Sequence, residues 1–267
     1  MKKLLSLALA AIMVISCFAL VGCGSNSQSN DGPDSDVAYV QDKGTLVVGI
    51  TDFAPMDYKD DNGEWIGFDA DLATSFASSL GVDVEFIEIN WDSKEMELEN
   101  KNIDCVWNGM TLTDGVKEAM ETSNAYCNDA QVMVTTKANK DIDTVEGAAG
   151  LNFAVEAGSA GEEQAQANGY NSTGVETQAD AVMEVAAGTA DACIIDSLMA
   201  GAMVGEGTSY PDLVVTQAFN EELYGVGFRK GSDLAAKCNE FFTASYSAGV
   251  IQDIAKKYGT QESIIEQ

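Results

Sequence analysis

From residue 45 onward, short runs of branched apolar residues alternate with amphipathic helical stretches, and that alternation restricts the chain to α/β architectures. Thr45–Ile50 is the first such run, read as a buried strand. Residues 67–80 place Phe68, Leu72, Phe76 and Leu80 at four-residue spacing, one face of a helix that Gly81 ends. Val82, Val84 and Phe86 then alternate with Asp83 and Glu85, a strand with one polar face. A short helix over 93–100 and a strand over 103–107 complete a βαβαβ order, which predicts a mostly parallel sheet. Asp61-Asn62-Gly63, set between Tyr58 and Trp65, predicts a hairpin turn.

A second unit begins after Gln131. Residues 151–155 read as a strand, Gly158 opens a helix, 177–187 form another, and 193–195 return as a strand. The two units echo each other: Asp104 precedes an apolar run ending at Asn108, and Asp191 precedes one ending at Asp196. Ligands of α/β sheets bind beyond strand C-termini, so Asn108 and Asp196 are expected to face one another across a cleft; capping of their own strand ends is the plain structural alternative. Residues 224–228 form a last strand. Helices over 234–246 and 250–258, the latter with Ile251, Ile254 and Tyr258 on one face, are expected to pack back on the first unit.

Charge and composition exclude several functions. The chain has 43 acidic and 14 basic residues among 267, a formal net charge of −29, and such a surface repels phosphate backbones. It has no histidine, which removes histidine-based triads and histidine metal sites. Arg229 is its one arginine. At the N-terminus, Lys2 and Lys3 precede an apolar run ending in Leu20-Val21-Gly22-Cys23, which resembles the lipobox of bacterial lipoproteins. The expected layout is a signal over 1–22, acylation of Cys23, and a polar tether over 23–40. That puts the folded part outside the cytoplasm, periplasmic or on the outer face of the plasma membrane, held to the membrane by lipid. Cys105, Cys127, Cys193 and Cys238 form no CxxC pair and read as buried thiols, although an exported chain permits disulfides.

Several motifs, in order, carry a family resemblance. They are Gly44-Thr45-Leu46-Val47-Val48-Gly49; Asp60 to Glu64 followed by Ile66-Gly67-Phe68-Asp69; Trp91-Asp92; Asn108-Gly109-Met110-Thr111-Leu112-Thr113; Asp191-Ala192 through Asp196-Ser197; and Tyr224-Gly225-Val226-Gly227-Phe228-Arg229. From about Gly44 to Tyr258 the chain resembles the solute-binding proteins of amino-acid ABC importers, family 3. The resemblance implies a two-lobed type II periplasmic-binding-protein fold, two α/β domains joined by two hinge strands near 131–134 and 224–228. Lobe 1 would comprise 41–131 with 226–267, and lobe 2 residues 132–225. It further implies a non-catalytic protein that closes on an amino acid or related small amine and docks on ABC permease subunits, with no cofactor, no metal and no nucleic acid. Alternatives are a cationic solute that is not an amino acid, and a small-molecule dehydratase, since a few relatives of the fold are enzymes.

The resemblance also distributes roles. Phe53 and Trp91 match the aromatics that sandwich a ligand side chain, and aromatic faces also attract cations. Thr111 matches a ligand-contacting hydroxyl, Ser159 and Ala160 match a loop whose amides meet a carboxylate, and Asp196 matches the acid that pairs an α-ammonium. Gly109 allows close backbone approach. Independently of the resemblance, Asp52 and Asp57, in the loop around Phe53, are candidates for reading a basic side chain, with solvated loop acids as the plain alternative. One position departs: family members usually carry arginine where this chain has Val116. Three arrangements are compatible with that change. Lys117 substitutes, or backbone amides act alone, or the ligand has no α-carboxylate.

Overall fold

Eleven strands and ten α-helices fold over residues 35–267, the residues that the computed structural model describes. Cys23, the signal and most of the expected tether fall outside the described residues; the tether's last residues, 36–40, are instead folded in a helix whose Val40 is buried in the apolar core. The strands are β1 (Thr45–Ile50), β2 (Tyr58–Lys59), β3 (Trp65–Ile66), β4 (Asp83–Glu88), β5 (Cys105–Thr111), β6 (Glu121–Thr122), β7 (Cys127–Thr136), β8 (Asn152–Glu156), β9 (Asn171–Val175), β10 (Ala192–Asp196) and β11 (Leu213–Phe228). The helices are α1 (Asp36–Lys43), α2 (Phe68–Leu80), α3 (Lys94–Glu99), α4 (Asp114–Ala119), α5 (Val145–Ala148), α6 (Ala160–Ala167), α7 (Gln178–Ala187), α8 (Ser197–Met203), α9 (Leu234–Ser247) and α10 (Val250–Tyr258).

The main sheet runs in the order β4-β1-β5-β11-β7-β10-β8-β9, with β6 also paired to β11. Its two wings are parallel: β1 lies between β4 and β5, and β8 between β10 and β9. The centre is antiparallel, because β11 pairs with both β5 and β7, and β7 pairs with β10. The mostly parallel sheet expected from the sequence is therefore found only in the wings. The difference comes from β11, which extends back from Phe228 to Leu213 and pairs with β7 from Leu213 opposite Thr136 to Tyr224 opposite Cys127. Polar Asn220, Glu221 and Glu222 conceal this strand from an apolar-run reading. Strand β5 likewise runs on to Thr111, so Asn108 lies within a strand and not at its end.

One apolar cluster runs through both wings, and each wing adds a smaller cluster of its own. In the first wing, Phe76 and Trp107 pack with Tyr126, Phe241 and Phe242 at ring separations of 5.4 to 6.3 Å. The C-terminal helices close this wing as expected. Lys257 and the Tyr258 hydroxyl both reach Asp71 of α2, at 2.7 and 3.0 Å. In the second wing, Phe153 stacks on Tyr170 at 4.5 Å. The four described cysteines are buried and unpaired. No described helix is long and apolar enough to cross a membrane.

Arg229, at the end of β11, is a structural tie. Its Nε donates to Asp36 at 3.0 Å, Nη1 to the carbonyl of Ile103 at 2.7 Å, and Nη2 to Asp104 at 3.3 Å. It thereby joins α1, the turn before β5 and the end of β11 in one buried cluster.

Candidate functional site

A cavity of about 480 Å³ lies between the two wings, a volume suited to a small solute. Phe53, Trp91, Asn108, Gly109 and Thr111 line it from the first wing, and Ser159, Ala160 and Asp196 from the second. All eight predicted site residues thus border one space, although their polar atoms differ in how free they are.

Asn108 is a clamp within its own lobe. Its Oδ1 accepts from the Thr51 N–H at 3.0 Å and the Thr51 hydroxyl at 2.8 Å, while Nδ2 donates to the Thr51 carbonyl at 3.0 Å and to Asp57 at 2.8 Å. Asp57 is fully buried below this amide and does not line the cavity; burial holds its carboxyl well above the usual range. Asp52 does not line the cavity either. The 51–57 loop turns Asp57 into the protein and leaves Asp52 exposed to solvent, so neither acid is placed to read a ligand. Gly109 sits at φ +55°, and a Cβ there would lie 2.4 Å from the Phe53 ring. The glycine is what lets that ring lie against β5, edge-on to Tyr224 at 6.3 Å.

Asp196 ends β10 at the cavity floor, 3% exposed. One carboxylate oxygen accepts from the Gln131 amide and the other from Gln178 at 3.0 Å, while Gln178 accepts the Asp196 N–H at 2.9 Å. Carboxylate oxygens of Asp129, Asp196 and Glu222 converge within 4.8 Å of one another. Protein donors already occupy Asp129 and Glu222: Ser197 and Tyr224 bond the former, and Thr111 and Gln131 the latter. The cluster is therefore a hydrogen-bonded brace across β5, β7, β10 and β11. Burial first, and then the charges of Asp129 and Glu222, push the Asp196 carboxyl well above its ordinary pKa.

Ser159 caps α6, its hydroxyl accepting the Glu162 N–H at 3.1 Å. Glu162 in turn accepts the Gly158 N–H at 2.8 Å, so it secures the helix entry and leaves the ligand space alone. The lobes touch at this loop: a Cβ on Gly158 would lie 2.7 Å from the Asp92 Cα.

Among the lining residues that the sequence reading does not single out, three are buried and polar or charged. Gln178 orients Asp196, as described. Glu156, 2% exposed, ends β8 just as Asp196 ends β10; the same strand-end signal marks it. Burial raises its pKa from 4.5 to about 8, and its Oε1 has no partner among the described residues. Lys94, 7% exposed, stands three residues after Trp91, on the same helical face as that ring, with Nζ 4.9 Å from the ring centroid. The lining as a whole contains six carboxylates, from Asp92, Glu95, Glu118, Glu156, Glu163 and Asp196, against the single ammonium of Lys94.

The elevated acids set a pH dependence. Asp69 accepts from the Gly109 N–H and the Tyr126 hydroxyl, both at 2.7 Å, yet burial lifts its carboxyl from 3.8 to about 7. An acid whose pKa is higher folded than unfolded binds more protons in the folded state. Its contribution is complete below the unfolded value and is lost as pH rises through the folded one. The ligand-free protein should therefore melt at progressively lower temperature as the pH rises from about 5 to about 8. Glu156→Gln should flatten that slope. A melting temperature that is constant or rises over this range would contradict the assignment.

The comparisons agree with this architecture. The model of the bacterial extracellular solute-binding proteins, family 3, matches residues 46–261. The arginine-binding extracellular protein ArtP of Bacillus subtilis is 30% identical over 98% of this chain and 100% of its own. An ABC uptake transporter substrate-binding protein of Streptococcus pneumoniae, solved with bound histidine, superposes with a TM-score of 0.77 at 30% identity, covering 85% of this chain and 97% of that one. The ancestral amino-acid-binding protein AncCDT-1, described as a precursor of cyclohexadienyl dehydratase, gives 0.76 at 31% identity over 84% and 99%. With a family model spanning both wings and a cavity lined from each of them, the chain belongs to the bacterial extracellular solute-binding proteins of family 3.

Proposed function

We propose that this protein captures an amino acid or related small amine between its lobes and delivers it to the permease of an ABC importer, without catalysing a reaction. The observation that carries this reading is the interlobe cavity, where the rings of Phe53 and Trp91 lie on one side and Asp196 on the other. The aromatic faces supply contact area to the solute body, and Asp196 supplies a desolvated carboxylate for its ammonium. Ser159 and Ala160 present the entry of α6 to the opposite end of the solute. Asn108 and Gly109 act through shape, the first by fixing the loop of Thr51 and the second by admitting the Phe53 ring.

Closure around the solute would swing the lobes on β7 and β11, and we place the crossings at 131/132 and 225/226. The ArtP relative binds arginine and the S. pneumoniae protein was solved with histidine, both amino acids with basic side chains. The excess of carboxylates in the lining supports a solute carrying at least one positive charge. Acylation at Cys23 would keep the closed protein near its permease.

A thermal-shift screen of the common amino acids, their decarboxylated amines and polyamines tests the reading. At least one member should raise the melting temperature, by an amount that grows with its concentration, and should be recovered unchanged. No shift with any member, or conversion of the bound compound, would refute it.

A further inference from the structure

The structure assigns to Lys94 the carboxylate of the solute, the role left open by valine at position 116. This deepens the solute-capture reading and rests on it. The other basic candidates are eliminated by their positions. Val116 is buried in an apolar cluster with Val47, Ile89, Met110 and Met120 and offers no charge. Lys117 is exposed on α4 and does not line the cavity. Arg229 is held by Asp36 and Asp104 at the end of β11. Lys94 is the one basic side chain among the cavity's lining residues.

The surroundings of the ammonium point the same way. Nζ donates to the carbonyl oxygens of Trp91 at 3.2 Å and of Gly158 at 3.0 Å, which places it between the lobes at the loop leading into α6. No described carboxylate forms an ion pair with it. An ammonium has three protons to donate, so two carbonyl bonds leave one unassigned. Its direct hydrogen bonds go to neutral carbonyls alone, so a carboxylate entering the cavity can take the remaining proton as a charge-assisted bond. Desolvation lowers its pKa, while Glu95, Glu156, Glu163 and Asp92 oppose that shift. Lys94 at the α6 entrance and Asp196 at the floor together give the cavity one cationic and one anionic pole. Those poles match the carboxylate and the ammonium of a zwitterion. Because the Gly158 carbonyl belongs to the second lobe, the same ammonium also helps hold the closed form.

The test uses matched pairs that differ only in the carboxylate: arginine and agmatine, lysine and cadaverine, histidine and histamine. Calorimetric Kd values are measured for the native protein, Lys94→Gln, Lys94→Arg and the control Lys117→Gln, each checked for folding by circular dichroism. The native protein should prefer the amino acid of its best pair at least about tenfold. Lys94→Gln should weaken that amino acid about 10- to 100-fold while leaving its amine within about threefold. Lys94→Arg should restore most of the preference, and Lys117→Gln should match the native protein. Equal loss for amino acid and amine in Lys94→Gln would overturn the assignment and reduce Lys94 to a lobe contact. So would native preference for the amine, and either result leaves solute capture intact. Failure of the native protein to bind any of the six compounds, or any member of the wider screen, would remove the capture reading itself.

Discussion

Asp196→Asn is expected to melt higher than the native protein when empty and to bind its solute far more weakly. The two effects have one cause. In the empty cavity the Asp196 carboxyl is 3% exposed and shares its surroundings with Asp129 and Glu222, whose charges disfavour its ionised form. The Gln131 and Gln178 amides donate to it without supplying a countercharge. Asparagine keeps the shape and an acceptor while removing the repulsion, so the ligand-free melting temperature should rise by roughly 2–4 °C for each kcal/mol relieved. The solute's ammonium, by contrast, loses its one desolvated ionic partner at the floor. Its binding should weaken by about 2–5 kcal/mol, read as the change in Kd by calorimetry. A variant that melts lower and binds like the native protein would show that Asp196 serves the sheet alone.

Arg229→Met should be the most destabilising single change outside the cavity, costing about 3–5 kcal/mol. Its guanidinium is buried and bonds Asp36, Asp104 and the Ile103 carbonyl. Methionine fills similar volume but leaves Asp36 with only the distant ammonium of Lys101, at 4.0 Å, and Asp104 with Lys43. In a protein of this size the expected fall in melting temperature is roughly 10 °C. Lysine should not rescue it, because a point charge cannot serve two carboxylates and a carbonyl with one planar fork. The folded fraction should bind solute with native affinity, since Arg229 does not border the cavity. A melt within about 1 °C of native would contradict this structural role.

These two residues mark the limits of sequence reading from opposite sides. Asp196 was legible because a strand-ending acid after an apolar run is a local pattern, and α/β sheets place ligands at such ends. Phe53, Trp91, Gly109, Thr111, Ser159 and Ala160 were legible through motif order. Lys94 and Glu156 were not, although both carried usable signals: a basic residue one helical turn from Trp91, and an acid closing β8. Their meaning depends on which partners a burial site withholds, and burial is not a local property. The single arginine was conspicuous in composition, yet its role as a tie between α1, β5 and β11 required long-range contacts.

The sequence by itself determined the alternation of strands and helices, the two α/β units and the acidic character, because periodicity, turn residues and strand ends are set by neighbours along the chain, while the resemblance pointed to several of the residues bordering the cavity. The tertiary structure alone decided three things. The wings join through the antiparallel pair β7 and β11, Asn108 spends its polar atoms on Thr51 and Asp57, and Lys94 reaches the second lobe as the one ammonium among the described lining residues. Each of these rests on groups far apart in sequence, whose pairing and desolvation exist only once the chain has folded.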